Sequence, residues 1–359
     1  MFNHLEADAP GLALLVRKDD HAVFKRGYGI SDLRTRTKIT PATNFRLASC
    51  TKPFTAMAVM LLVRDRLLTY DTRLTDVLPD FPTHGNLITI RSLLNHPSGL
   101  PDYEDSISRA LPNTLSDPPN QISDADVLAI LGQASAKFQP GTRWAYSNSG
   151  YVLLGEVVTR VSREPFPDFL HDRIFAPLGM SNTIAYTKGR NVPHRAYGHS
   201  KQSSGWIETD QDATSATLGD GGVYSSLDDL AKWDNALTHN TLLSEEDMRP
   251  ALTPVAVLNT NPADSDGGSA AYGFGWFLNP YKGHPRMWHH GETIGFRTGV
   301  QRFTQDRLTI VVLCNRSDLD PGVLGGQIAD LCFSPVTYQR HPTEAPPHPA
   351  LVGCSCTDV

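Results

Sequence analysis

The sequence predicts an α/β (α+β) chain: one antiparallel sheet flanked by helices, assembled from both ends of the polypeptide around an inserted, mostly helical unit. Three observations carry this: period-two apolar patterning near the start, a loop-rich middle with helical spacing, and a return to period two after Tyr272. Leu12-Ala13-Leu14-Leu15-Val16 and Ala22-Val23-Phe24 flank the polar turn Lys18-Asp19-Asp20-His21, so residues 11–28 read as a hairpin. From about Ser49 to Leu68, Phe54, Met57, Ala58, Met60, Leu61 and Leu62 recur at helical spacing. Pro53 fits only the first turn of that helix and places its start close to Ser49.

Residues 70–205 are punctuated by Pro79, Pro82, Pro97, Pro101, Pro112, Pro118 and Pro119, with helical candidates at 123–131, 150–161 and 166–175. Ser226-Leu227-Asp228-Asp229 opens a further helix, with a capping-box pattern, to about Leu237. Residues 272–278, 287–290, 298–303 and 308–313 read as strands, the last two joined at Thr304-Gln305-Asp306. The expected organisation is a discontinuous sheet domain (1–69 and 206–334), a helical domain (70–205) and a Pro-rich tail (335–359).

The 359 residues carry 38 acidic and 32 basic side chains, a formal charge of −6, with no Lys/Arg-rich run; a general nucleic-acid binder is excluded. A hydrophobic content of 40% excludes a wholly disordered chain. The five cysteines make no disulfide framework: Cys50, Cys314 and Cys332 lie among apolar residues and read as small buried hydrophobes, while Cys354 and Cys356 sit in the tail. No stretch is apolar enough to span a membrane, and Met1-Phe2-Asn3-His4-Leu5-Glu6 does not read as a signal peptide, so the expected location is the cytoplasm, with an extracytoplasmic one the alternative if the N-terminus is trimmed.

Ser49-Cys50-Thr51-Lys52 is the only S-x-x-K and Tyr146-Ser147-Asn148 the only Y-x-N in the chain. Serine and lysine three apart on a helix share a face, so the amine can approach the hydroxyl, and a helix N-terminus favours developing negative charge. Serine becomes a nucleophile when a neighbouring base takes its proton, and lysine serves if burial or nearby cations lower its pKa. A third element is Trp288-His289-His290-Gly291-Glu292-Thr293-Ile294-Gly295-Phe296. Taken singly, S-x-x-K is weak and equally describes an N-cap serine followed by a solvated lysine.

With their flanks Phe45-Arg46-Leu47-Ala48 and Trp144-Ala145, these motifs resemble the serine β-lactamase and penicillin-recognising hydrolase superfamily. The nearer branch is the class C-like one, with D-alanyl-D-alanine carboxypeptidases and β-lactamase-fold esterases. Ala9-Pro10-Gly11, Gly27-Tyr28-Gly29, the run from Leu93 to Pro101 and Gly221-Gly222-Val223-Tyr224-Ser225-Ser226 extend the resemblance to about Asn315. It implies a β-lactamase/transpeptidase-like fold and a metal-free acyl-enzyme mechanism without cofactor. Ser49 would be the nucleophile and Lys52 the base or proton relay. Tyr146, its pKa lowered by the adjacent charge, would share proton transfer, and Asn148 would orient lysine and substrate. The backbone N–H groups of Ser49 and Glu292 would form the oxyanion hole, and His289, His290 and Gly291 would line the substrate.

Two departures qualify the resemblance. His290 replaces the hydroxyl residue that helps bind a substrate carboxylate, and His289 replaces lysine with a weaker, pH-dependent charge; Arg297 is the candidate to compensate. The chain also starts ten residues before its first strand, where relatives usually carry a helix, so that helix is expected to be absent or trimmed. His284, His289 and His290 suggest zinc, but no Cys or carboxylate completes a familiar ligand spacing. His96 reads as a structural hydrogen-bonding residue, Tyr151 and Tyr224 as core, Gly221 and Gly222 as a tight turn, and the loops at 102–119 and 193–206 as shaping the cleft.

The expected function is hydrolysis of small ester, amide or peptide substrates, of the esterase or D-aminoacyl peptidase/amidase type. The alternatives are a β-lactamase, an acyltransferase with the same residues, or a non-catalytic scaffold. Activity is expected to rise toward mildly alkaline pH as Lys52 and Tyr146 lose protons. Oligomeric state and substrate identity stay open.

Overall fold

A computed structural model describes residues 6–110, 121–255 and 271–334. The early hairpin forms as expected. Strands β1 (Leu12–Lys18) and β2 (His21–Tyr28) pair antiparallel, and Asp19 and Asp20, with φ of 50° and 68°, supply the left-handed pair that a two-residue hairpin turn requires. Strand β3 (Phe45–Arg46) passes through a 3-10 turn, Ala48–Thr51, into α1 (Lys52–Arg64). The regular helix therefore begins at Lys52 with Pro53 in its first turn, and Ser49 lies in the tighter turn ahead of it. Helix α1 is buried on nearly every side from Lys52 to Leu62, as befits an element at the centre of the molecule.

The middle of the chain contributes α2 (Leu74–Val77), α3 (Ile90–Leu94), α4 (Tyr103–Ala110), α5 (Asp124–Gln133), α6 (Asn148–Ser162) and α7 (Phe166–Leu170), the last continued by a π turn, His171–Phe175. Helix α6 packs on α1. Short strands follow: β4 (Ile184–Ala185), β5 (His199–Gln202), β6 (Gly205–Glu208) and β7 (Val223–Ser225). Strand β7 pairs with both β3 and β4, and β5 pairs with β6, so the border drawn at 205/206 divides a hairpin. Helices α8 (Leu227–Thr238) and α9 (Glu245–Met248) complete this part; Ser226 caps α8 by accepting the Asp229 N–H.

Strands β8 (Arg286–Thr293), β9 (Phe296–Phe303) and β10 (Leu308–Cys314) join the hairpin in one antiparallel sheet of order β2-β1-β10-β9-β8. Residues 272–278 do not form the expected strand. Only the bridges Tyr272–Phe277 and Phe277–Trp288 remain, because the chain turns at Gly275, φ 76°, where a Cβ would lie 2.8 Å from the Pro53 nitrogen.

The central strands β1 and β10 are covered on both faces, hence their continuous apolar runs. Ala13, Leu15, Val311 and Leu313 face the core shared with α1. Leu12, Leu14 and Val312 face Ile328 and Ala329 of α10 (Pro321–Phe333), a helix the period analysis did not anticipate although Asp320-Pro321 carries its start signal. Cys50 and Cys314 are buried, but Cys332 is exposed on α10, contrary to its expected burial. The tail at 335–359, with Cys354 and Cys356, lies outside the described residues. Among the described residues no helix is long and apolar enough to cross a membrane.

Candidate active site

The site forms where the turn before α1, the start of α6 and the edge strand β8 meet. The Leu47 N–H donates to the Val223 carbonyl, and the Leu47 carbonyl accepts from Thr298 Oγ1 at 2.7 Å. Gly291 packs so closely that a Cβ there would sit 2.1 Å from the same carbonyl, so the glycine of the third motif is a packing requirement. Ala48, immediately before Ser49, has φ 48°, a left-handed conformation costly for alanine and typical of strained functional turns. Nothing in the letters announced it.

Lys52 Nζ lies 3.0 Å from Ser49 Oγ, 2.8 Å from Asn148 Oδ1 and 3.0 Å from the Asp220 carbonyl oxygen. A neutral amine has two N–H bonds; spent on Asn148 and Asp220, they leave its lone pair for the Ser49 hydroxyl. Burial lowers the Lys52 pKa to about 8, against the opposing pull of the Asp220, Glu104 and Asp102 charges. Tyr146 hydrogen-bonds Ser49, and Lys52 Nζ lies 4.8 Å from the centroid of its ring. Its pKa moves opposite to expectation: burial pushes the phenol well above its ordinary value and outweighs the Ser49 hydrogen bond. The phenol therefore stays protonated, which leaves Lys52 as the group of the pair able to lose its proton near neutral pH.

The edge position of β8 decides what its backbone offers. Ile294-Gly295 make a two-residue turn between Thr293 and Phe296, and Trp288 exchanges backbone hydrogen bonds with Phe277, off the sheet edge. Glu292, four residues on in the alternating ladder, directs its N–H the same way, and it lines the same cavity as Ser49. The placement suits the expected oxyanion hole.

His289, His290 and Arg297 depart from their expected roles. His289 is buried, with Nδ1 2.6 Å from the His290 carbonyl and Nε2 3.2 Å from Tyr272 Oη. Burial, then the Lys52 charge, holds its pKa well below the ordinary value, so it is a neutral spacer in the wall and supplies no cation. His290 projects to the other face, where its ring edge and Pro321 crowd Gly299; alternation along the strand sends neighbours to opposite sides. Arg297 Nη2 pairs with Glu292 Oε1 at 2.7 Å, and Nη1 donates to the Thr293 and Phe296 carbonyls, a clamp on the hairpin in place of a carboxylate receptor.

His96 acts structurally, as expected: Nδ1 accepts the Ser147 N–H at 3.2 Å, and its ring centroid is 4.5 Å from that of Tyr146. Tyr151 and Tyr224 are core. Gly222 sits in a tight turn, its hypothetical Cβ 2.8 Å from Leu218 Cα. His284 pairs with Asp306 and stacks on Phe333, and among the described residues no group of three His, Cys, Asp or Glu could hold a metal ion.

Sequence reasoning missed an acidic wall. The cavity over Ser49, about 270 Å³, is lined by Glu104, Asp212 and Asp220 as well as Arg46, Asn148 and Glu292. Asp102 accepts the N–H groups of Asn148 (2.8 Å) and Glu104 (3.0 Å) and so holds the start of α6. Its pKa is raised, mainly by burial, and that of Glu104 is pushed up to about 7 by the cleft walls, then by Asp102 and Asp220. The side chain of Glu104 remains open to solvent, which tempers both effects. Residues 212–221 shape this wall in place of 193–206; residues 111–119 of the other expected loop lie outside the described residues. Four aspartates and glutamates scattered between 102 and 220 carry no periodic signal.

Fold and site together define a serine hydrolase. The chain belongs to the beta-lactamase family, whose model matches residues 1–331. It is 31% identical over 326 residues, 85% of this chain and 68% of the relative, to penicillin-binding protein 4* of Bacillus subtilis. It resembles the solved D-amino acid amidase of Ochrobactrum anthropi complexed with L-phenylalanine amide, with 26% identity, a TM-score of 0.72 and 86% of each chain covered. The octameric penicillin-binding protein homologue of Pyrococcus abyssi shares the fold, with a TM-score of 0.79 at 24% identity, over 90% of this chain and 73% of that one.

Proposed function

We propose that this enzyme hydrolyses small esters and amides through an acyl-enzyme on Ser49. The supporting observation is the position of Lys52 Nζ, bridging Ser49 Oγ and Asn148 Oδ1. Neutral Lys52 takes the hydroxyl proton as Ser49 Oγ bonds to the substrate carbonyl carbon, and the oxyanion is received by the Ser49 and Glu292 N–H groups. Tyr146, still protonated, passes its proton to the leaving group as the C–N or C–O bond breaks and takes one back from the adjacent Lys52 ammonium, which restores the neutral amine. Water then attacks the ester, its proton going to Lys52, which returns it to Ser49 Oγ as the acyl C–O bond breaks and the acid departs. Ester and amide substrates are favoured over β-lactams because His289, His290 and Arg297 offer the cleft no cation and Glu104, Asp212 and Asp220 outnumber Arg46 in the cavity lining, which disfavours a free carboxylate.

The test is covalent. A fluorophosphonate probe should add one adduct mass to the wild type, on the peptide containing Ser49, and none to Ser49→Ala; an unlabelled wild type would refute the reading. The pH dependence follows from Lys52. Below about 8 the amine is protonated and no base is present, so kcat/KM for p-nitrophenyl butyrate should rise with pH through a limb centred near 8. A profile flat across that value would remove Lys52 as the base.

A further inference from the structure

We infer that a second cavity, away from Ser49, binds a small carboxylate with an apolar body, and that Arg302 receives the carboxylate. The cavity, about 250 Å³, lies between helices α8 and α9 and the turn at 304–307 that joins β9 to β10. Its walls combine Leu237, Met248, Met287 and Phe303 with two buried guanidinium groups, those of Arg17 and Arg302, and Leu252 stands at the exposed rim. Apolar walls with a few convergent polar groups are the usual make-up of a small-molecule site. None of these residues lines the Ser49 cavity, so the inference stands apart from the acyl-enzyme reading.

The charge inside this wall is unbalanced. Arg17 and Arg302 share one buried carboxylate, Asp234, which accepts Arg17 Nη1 on Oδ2 and Arg302 Nε on Oδ1. Two buried cations on one anion leave a positive charge that a second anion would relieve. Arg17 directs its remaining groups to oxygen, Nη1 to the Ala231 carbonyl and Nη2 to the Asp20 carbonyl. Arg302 Nη2 likewise donates to the Asp234 carbonyl and to Thr238 Oγ1. Arg302 Nη1 differs: among the described residues its partner is the thioether sulfur of Met287, at 3.3 Å, a weak acceptor on an adaptable side chain. Both residues line the cavity, so an entering carboxylate oxygen can take the place of the sulfur in a charge-assisted bond. The remaining acids do not compete for that nitrogen. Asp20 pairs with Arg307, and Glu245 lies exposed on the first turn of α9. A cationic ligand would meet like charge here, and a neutral one would leave that charge unmatched.

The experiment uses the full-length wild type. Titration calorimetry at pH 7, where a carboxylic acid is ionised, compares hexanoate with hexan-1-ol, the same chain without the charge. Hexanoate should bind at least about 10-fold more tightly, the lower range of a charge-assisted hydrogen bond. Arg302→Met keeps apolar bulk in the wall and leaves Asp234 to Arg17; it should bring the two ligands to within about 2-fold of each other. Glu245→Lys, on the exposed rim, is the second variant should the first fail to fold. It should tighten hexanoate about 2–5-fold, the range of an exposed charge pair, and leave hexan-1-ol unchanged. Hexanoate bound no more tightly than hexan-1-ol, or not bound at all, overturns the inference. So does a preference that persists in folded Arg302→Met or, where that variant does not fold, one that Glu245→Lys leaves unmoved.

Discussion

Lys52→Met should lower kcat/KM for p-nitrophenyl butyrate about 10³–10⁴-fold, the upper range of a general-base contribution, without unfolding the protein. The substitution keeps the apolar stem that fills the start of α1 and removes the nitrogen linking Ser49, Asn148 and Asp220. Stability should respond in the opposite sense. Lys52 titrates near 8 when folded against 10.5 for the ordinary amine. The folded state thus holds fewer protons than the unfolded one between those values, and stability rises with pH through that window. Below 8 the buried ammonium opposes folding by at most about 3 kcal/mol, a penalty the methionine escapes while forfeiting hydrogen bonds of about 0.5–1.5 kcal/mol each. The Tm at pH 7 should therefore hold or rise. Full activity in this variant, or a Tm lower by about 10 °C or more, would show that the lysine is structural.

Asp234→Ala should be the most destabilising single change on the far side of the sheet-facing core. Asp234 on α8 accepts from Arg17 Nη1, from Arg302 Nε at 2.6 Å and from Thr309 Oγ1 at 2.7 Å, and both arginines are buried. This carboxylate ties α8 to β1, β9 and β10 at once. Removing it takes the carboxylate partner from two buried guanidinium groups, at a cost of about 3–5 kcal/mol, or roughly 4–7 °C in Tm for a chain of this size. Calorimetry checks the value. A loss below about 1 kcal/mol would mean that water reaches and solvates both arginines. The cluster lies apart from the residues lining the Ser49 cavity, so adduct formation at Ser49 should persist below the lowered Tm.

Much of the architecture could be read in advance because its signals are local. The hairpin at 11–28, the helix after Ser49, and the strands at 287–290, 298–303 and 308–313 follow from periodicity and turn residues that act over a few positions. The segment at 272–278 misled because its alternation is genuine while its conformation is set by Gly275 passing close to Pro53, far away in the chain. In the site, Ser49, Lys52, Tyr146 and Asn148 were legible as motifs. The neutral state of His289, the opposite sheet face taken by His290 and the engagement of Arg297 were not, since each depends on what packs beside it.

The amino-acid sequence by itself determined the sheet built from both chain ends, the helical insertion and the motif residues Ser49, Tyr146 and Asn148 that gather around Lys52 Nζ. Only the tertiary structure decided the electrostatics around them: a lysine brought to about 8 by burial, a tyrosine kept protonated, and a wall of Glu104, Asp212 and Asp220 opposite the serine. The physical reason is range. Patterning and capping are settled by neighbours within a turn or a strand, whereas a pKa depends on every charge and dipole that folding brings within a few ångströms.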